Sequence, residues 1–385
     1  MRFLTAGESH GPCLTVIVDG LPAGLAGLEE VINRDLSRRQ AGYGRGGRMQ
    51  IEADRVEIVG GFLAGRTTGA PLALRIANRD WENWKDRWSA GDLPALAVPR
   101  PGHADGAGMA KYGLDDARPI LERASARETA CRVAVGAIAR QLLGEFGILV
   151  GSCVLSIGNA NAPLPDGDWV DVWTRAEASP VRCANAEAAQ QMIEAIEEAR
   201  DEGDSLGGTF LIVATGVPQG LGAHVQWDRR LDGQIAQALL SIQAIKGVEI
   251  GPAFENTKRS GTQVHDAYTL GEGGQVVRPT NRAGGIEGGI SNGQPILVRA
   301  AMKPIPTTIK KQDSVNLQTG RPAATEYQRS DVCAVPAAAV VGEAMVALVL
   351  ADALLEKFGG DSVSELRRNF DAYLDHLRER GFGER

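Results

Sequence analysis

Cysteine, aromatic residues and lysine are all scarce in this chain, and each shortage argues against a class of protein. Five cysteines, at positions 13, 131, 153, 183 and 333, are odd in number and form no CxxC pair. That argues against a disulfide framework or a thiolate zinc site and fits small buried thiols in a reducing compartment. Aromatic side chains are 5% of the sequence while glycine reaches 48 of 385 residues, so the glycine excess reads as tight turns and close backbone approach. With 41 basic against 48 acidic residues, the net charge of −7 disfavours binding to a nucleic-acid backbone. No HExxH pair, Walker A loop or strand-borne GxGxxG fingerprint occurs. The most apolar run, 334–351, is broken by Glu343, and Glu8 and His10 stand where a signal peptide would need its apolar core. The expectation is a cytoplasmic protein with no membrane segment, no metal and no nucleic-acid partner.

What the chain does have is material for a core and a large stock of arginine. Hydrophobic residues are 43% and charged residues 23% of the sequence, within the globular range. Arginine outnumbers lysine 33 to 8, a bias that suits two-point grip on carboxylates or phosphates, although a GC-rich genome produces it too. Apolar runs bounded by glycine predict strands near 14–19, 56–59, 71–76, 148–156, 209–215 and 295–301. Helical stripes are Leu28 to Leu36, Val133 to Leu142, Met192 to Ile196 and Leu231 to Ile242, each followed by glycine. The 336–358 run reads as a buried helix, and an amphipathic helix follows from the capping box Ser362-x-x-Glu365. The stretch 158–186 reads as a surface excursion and 303–332 as a long functional loop.

Self-comparison predicts a repeat. LTVIVDG before Leu21-Pro22 echoes FLIVATG before Val217-Pro218; Gly60 to Arg75 aligns with Gly284 to Arg299; Leu142 to Gly147 aligns with Leu354 to Gly359. The echoes come in the same order, which predicts one α/β domain over 1–385 built from two similar halves, about 10–147 and 205–359, with the C-terminal helix in 360–385. A ligand cleft is expected where the halves meet.

Several motifs carry chemistry. Gly7-Glu8-Ser9-His10-Gly11 matches the GxSxG elbow of serine hydrolases, but that elbow needs a strand before the serine and only six residues precede Gly7. It reads better as a polar loop that holds an oxyanion and supplies a proton. Arg100-Pro101-Gly102-His103-Ala104-Asp105 sets a second imidazole beside a carboxylate that could orient it. His224, His265 and His376 lack such surroundings. Arg38, Arg39, Arg45 and Arg48 flank Gly44, Gly46 and Gly47, a set able to close on an anion. Ser125 and Glu128 form a capping box for a 125–146 helix, and Arg123, Arg127 and Arg132 crowd its N-terminus against the dipole, as if an anion bound there. Asp331, in Arg329-Ser330-Asp331, reads as a cap-region acid of the 336–358 helix. Together these describe an enzyme acting on a small anionic substrate by proton transfer and electrostatic stabilisation.

Along essentially its whole length the sequence resembles the chorismate synthase family. The resemblance is carried by GESHGPCLTVIVDGLPAG, ERASARETACRVAVGAIA and RSDVCAVPAAAVVGEAM, with RPGHAD, SLGG, AIKGVEIG and RAGGIEGGISNG between them. It implies a mixed α/β (α+β) fold, a β-α-β sandwich, and a lyase of the shikimate pathway that converts 5-enolpyruvylshikimate 3-phosphate to chorismate with reduced FMN, working as a homotetramer. By matching position, His10 would protonate the leaving phosphate, His103 would be the acid beside the flavin, and Asp331 would assist proton removal. Arg123, Ala124, Ser125, Gln243, Ala244, Gly288, Lys303, Pro304, Ile305, Pro306, Thr307 and Arg329 match flavin-binding positions. Arg39 and Arg45 match positions that bind either NADPH or substrate anions; Ser9, Arg48 and Arg127 are the other expected substrate contacts. Ala124 and Gln243 replace serine and asparagine of some relatives, changes that backbone contacts to FMN would survive. With no dinucleotide fingerprint and no added reductase domain, the expectation is a monofunctional enzyme fed by an external flavin reductase. A serine hydrolase using Ser9 and a non-catalytic binder of FMN or phosphometabolites remain as alternatives.

Overall fold

A computed structural model describes residues 1–46, 53–91, 93, 95–326 and 330–382. Two antiparallel sheets enclose a layer of helices. The first is built from β1 (Arg2–Ala6), β2 (Cys13–Asp19), β3 (Val56–Gly60) and β4 (Leu72–Ala77), in the order β1-β2-β4-β3. The second holds β5 (Leu149–Ile157), β6 (Ala160–Asn161), β7 (Gly208–Thr215), β8 (Ile245–Ile250) and β9 (Ile296–Met302), in the order β8-β9-β7-β5-β6. Helices useful to the description are α1 (Leu28–Gln40), α2 (Asp105–Tyr112), α3 (Arg118–Ala124), α4 (Thr129–Gly144), α5 (Trp169–Ala178), α6 (Ala186–Asp201), α7 (Leu231–Leu240), α8 (Val335–Phe358) and α9 (Val363–Glu379). The expected α/β sandwich is what forms.

Alternation explains the layering. Leu14, Val16, Val18, Leu72, Leu74 and Ile76 turn inward from the first sheet; Phe210, Ile212, Ile296 and Val298 do so from the second. Helices α1, α4, α7 and α8 fill the space between. Although α8 is long and apolar enough to cross a membrane, most of it is buried as the central helix of this layer. Helices α4 and α8 touch so closely that a Cβ on Gly136 would lie 2.2 Å from that of Ala344.

One charged residue stands among the buried residues of α8, and it is the hub of the layer. Glu343 is fully buried and accepts from Arg38 of α1 at 2.8 and 2.9 Å, from Arg182 at 2.9 Å and from Ser152 of β5 at 2.6 Å, with Arg140 of α4 at 3.4 Å. Asp35 of α1 binds Arg140 at 2.7 Å, closing the network. Burial alone would raise the Glu343 carboxyl, but Arg38, Arg140 and Arg182 outweigh it and hold it down at about 2.

Several local expectations need correction. A strand does precede Gly7: β1 pairs with β2 from Arg2↔Asp19 to Ala6↔Thr15, too short and too exposed to show a sequence pattern. The 158–186 excursion contains α5, capped by Asp168, whose Trp169, Val172, Trp173 and Ala176 cover the outer face of the second sheet at Cys153, Leu155, Leu211 and Val213. The 303–332 stretch carries a hairpin, Asp313–Asn316 with Arg321–Ala324. Ser125 caps a 3-10 turn, Ala126–Glu128, and α4 starts only at Thr129, because the Glu128 side chain binds Arg132 and Thr5 instead of closing a capping box. The Ser362 box at α9 forms as expected, with Glu365 N–H donating to Ser362 Oγ at 3.2 Å.

Two stability outcomes follow from this layer. Glu343→Gln should cost about 3–5 kcal/mol at neutral pH, since it leaves buried guanidinium groups short of their counter-charge. Because the folded carboxyl titrates near 2, below its ordinary 4.5, its contribution is complete above pH 4.5 and is lost as pH falls through 2. Urea unfolding at pH 7 and pH 3 should therefore show the gap between wild type and variant narrowing at the lower pH. Gly136→Ala should destabilise by about 1–3 kcal/mol through overpacking, outweighing a helix-propensity gain of about 1 kcal/mol, and thermal denaturation reads the sign.

Candidate active site

The loops between layers converge on one cavity of about 790 Å³. Its floor is the first turns of α8, where Ala334, Ala337, Ala338 and Val341 leave a shallow apolar surface. Its walls carry Arg39 from the end of α1, Arg45 from the loop after it, Arg100 and His103 from the loop before α2, Arg118 from α3, Arg127 from the 3-10 turn, and Lys303 just after β9. Among the described lining residues these are six cationic side chains and one histidine, joined by His10 and by a single carboxylate, Asp331. A site so charged is built for an anionic ligand.

Carboxylates behind the wall hold the cations in place. Asp54 lies 2.6 Å from Arg127 and 3.6 Å from Arg39, so two buried guanidiniums share one counter-charge. Arg39 also donates to Thr129 and to the Ala126 carbonyl, while its Nη1, the nitrogen nearest Asp54, has no hydrogen-bond partner among the described residues. Burial, with Arg127 nearby, lowers Arg39 to about 10 despite Asp54. Asp331 takes the Arg45 guanidinium at 2.8 Å and the Gly46 N–H at 2.7 Å. Gly46 must be glycine here: a Cβ would stand 2.6 Å from the Ser330 carbonyl oxygen. Asp331 therefore does not act as the helix cap expected of it; it ties the loop after α1 to the start of α8.

The two histidines are held differently. His10 Nδ1 lies 2.9 Å from Glu122, and its ring stacks on Trp84 with centroids 4.1 Å apart. His103 Nδ1 lies 2.5 Å from Asp105 and 2.9 Å from Arg100 Nη2, so a proton acceptor and a proton donor compete for one nitrogen. Burial works to raise Asp105, but His103 and Arg100 hold it well below the ordinary carboxylate range. Arg100 continues to Thr307 at 3.1 Å, linking the histidine loop to the strand of residues after Lys303.

A family model described as chorismate synthase matches residues 1–355. The chain belongs to the chorismate synthase family. It is 53% identical over 390 residues to the chorismate synthase of Pelobacter propionicus, covering 98% of this chain and 99% of that one. With the chorismate synthase of Aquifex aeolicus the identity is 52% over 391 residues, covering 98% of each. A crystal structure of chorismate synthase aligns with a TM-score of 0.81 at 47% identity, covering 98% of each chain.

Of the residues that the chorismate synthase resemblance assigned to a site, most line this cavity: Ser9, His10, Arg39, Arg45, His103, Ala124, Ser125, Arg127, Gln243, Ala244, Lys303, Ile305, Pro306, Thr307 and Asp331. Arg123, Gly288 and Pro304 are not among its lining. Arg123 turns away to the Thr5 and Gly7 carbonyls and borders a neighbouring hollow, while Gly288 sits in the turn between Ile286–Glu287 and Ile290–Ser291. Arg48 and Arg329 lie outside the described residues. Arg38 leaves the expected anion cluster for Glu343, and Arg132, paired with Glu128 at 2.9 Å, borders the hollow beside Arg123 and not this cavity. Trp84, Arg100, Arg118 and Glu122 were not assigned a role from the sequence, although RPGHAD contains Arg100 and ERASARETACRVAVGAIA opens on Glu122.

Removing the Arg39 guanidinium should weaken anion binding. In Arg39→Met, inorganic phosphate should bind about tenfold or more weakly, the loss of one charge-assisted hydrogen bond, and its protection against thermal unfolding should shrink accordingly.

Proposed function

We propose that this chain performs the family's reaction in the cavity above: elimination of phosphate and a ring hydrogen from 5-enolpyruvylshikimate 3-phosphate to give chorismate, in aromatic amino acid biosynthesis. The observation that carries this reading is two imidazoles on one apolar-floored cavity ringed by cations. The substrate has a phosphate and carboxylates to be neutralised, and its departing phosphate needs a proton.

Reduced FMN fits the same residues. The alanine-lined floor suits a planar ring, Lys303 and the arginines suit its phosphate, and Gln243 Oε1, buried with no hydrogen-bond partner among the described residues, offers an acceptor. When bound, the reduced flavin supplies transient electron donation and a basic N5. His10 donates the proton that the leaving phosphate takes, and Arg39, Arg45 and Arg127 stabilise the negative charge as it departs. His103, on the same cavity, would be the acid that holds a proton next to the reduced cofactor. Asp331, held by Arg45 and the Gly46 N–H, would assist proton removal by taking the proton lost from the substrate onto its carboxylate. Arg39 and Arg45 share one cavity with His10, which favours substrate anions over NADPH as their ligand.

The enzyme is read as cytoplasmic, dependent on an external flavin reductase, and descended from a duplicated half. A homotetramer is supported by the outer face of the first sheet, where Leu4 and Ile17 are exposed while the corresponding strands of the second sheet lie under α5. A serine hydrolase is disfavoured: Ser9 is 3% exposed, hydrogen-bonds Ser125 Oγ, and leads into β2 rather than a helix.

Anaerobic incubation with FMN, dithionite and the enolpyruvyl substrate should yield chorismate absorbance; tight FMN binding without it would favour a non-catalytic binder. At saturating substrate and FMN, His10→Ala should lose about 10²–10⁴-fold in rate with a near-normal flavin spectrum. His103→Ala should be slow and should also change the flavin spectrum when substrate is added. If both variants keep more than about half of wild-type turnover, neither imidazole is a general acid.

A further inference from the structure

We propose that Glu122 is a positioning residue for His10: it holds the ring by Nδ1, so that Nε2 is the nitrogen offered to the leaving phosphate. This rests on the reading of His10 as the proton donor. Glu122 is 3% exposed in α3, and both of its oxygens are used on the same neighbour. Oε1 lies 2.9 Å and Oε2 3.1 Å from His10 Nδ1, and Oε2 also accepts the His10 backbone N–H at 2.8 Å. The Glu122 carbonyl also accepts the Ser9 N–H at 3.1 Å, so one residue of α3 fixes backbone and ring of the 9–10 loop together.

Trp84 completes the clamp. It lies 4.1 Å from the imidazole, tilted by 34°, and Arg118 sits 5.9 Å from the Trp84 centroid. An edge held by a carboxylate and a face held by an indole leave the ring no freedom about either side-chain torsion. An ionised carboxylate only accepts, so this geometry puts a proton on Nδ1. A proton given to the phosphate then leaves from Nε2, and the neutral ring that remains keeps its Nδ1–H on Glu122. At His103 the corresponding carboxylate is shared with Arg100 at 2.7 Å, whereas the Arg118 guanidinium stands 3.9 Å from Glu122. Glu122 is therefore the carboxylate given more fully to its histidine.

Glu122→Gln discriminates, because a carboxamide has one acceptor where the carboxylate has two. With that oxygen on the His10 backbone N–H, the amide NH₂ takes the Oε1 place, the one nearer to Nδ1, and favours a ring that accepts there. Nitrogen-15 shifts of the His10 ring, assigned by their loss in His10→Gln, should show the neutral ring with its proton on Nδ1 in the wild type and displaced towards Nε2 in Glu122→Gln. Turnover should fall about 10–100-fold, the usual scale for a partner one shell removed, with KM little changed. In the His10→Ala background Glu122→Gln should have no further effect.

An unchanged tautomer together with turnover within twofold of wild type (roughly the error of such a comparison) overturns the proposal, as does an additive loss in the His10→Ala background. If His10→Ala is itself fully active, the proton-donor reading fails, yet the ring shifts still decide whether Glu122 orients the imidazole. Glu122→Asp retains two acceptors on a shorter arm. Should the glutamine variant not fold, the aspartate variant should keep the wild-type tautomer and lose turnover, and full turnover there overturns the proposal.

Discussion

Glu343 is the constraint on which the rest of the structure hangs. A carboxylate taken wholly out of water is tolerated only where its charge is matched and its oxygens are used. Here the match comes from α1, α4 and the 182 region at once, so the three can pack on α8 in only one register. Arg38 reaches down to Glu343, and its neighbour Arg39 is thereby turned into the cavity. The loop that follows is caught by Asp331 through Arg45 and the Gly46 N–H. Packing of the helical layer and shape of the site are thus one problem with one solution.

The cavity inherits its character from that arrangement. Its floor is apolar because it is the end of a core helix, and its walls are basic because their carboxylates stand behind them. Asp54, Asp105 and Glu122 are all nearly buried, and each aims guanidinium or imidazole groups inward. Such pre-arranged charge spares the site reorganisation when a polyanion enters. The two imidazoles are held by different rules, one by a carboxylate and an indole, the other between a carboxylate and a guanidinium.

The two sheets share a strand order, β1-β2-β4-β3 against β5-β7-β9-β8, yet they are finished differently. Helix α5 covers the outer face of the second, whereas nothing among the described residues covers Leu4 and Ile17 on the first. The covering helix lies in a stretch whose prolines read as a surface excursion, and its two tryptophans gave no periodic signal. Strand β1 was missed for a related reason: an edge strand with one face exposed lacks the continuous apolar run that marked β5 or β7.

The sequence by itself determined what is written in contiguous residues. Continuous apolar runs and their glycine ends located the long strands and helices, and linear segments such as GESHG and RPGHAD carried the family and the two histidines. It could not divide the arginines. Arg38 and Arg39 are adjacent, yet one neutralises a residue 305 positions away and the other lines the cavity. Glu122 lies 112 positions from His10, and Asp331 lies 285 from Gly46. Only the tertiary structure decided those pairings, because the strength of an ion pair depends on distance and burial, and neither is a property of neighbours along the chain.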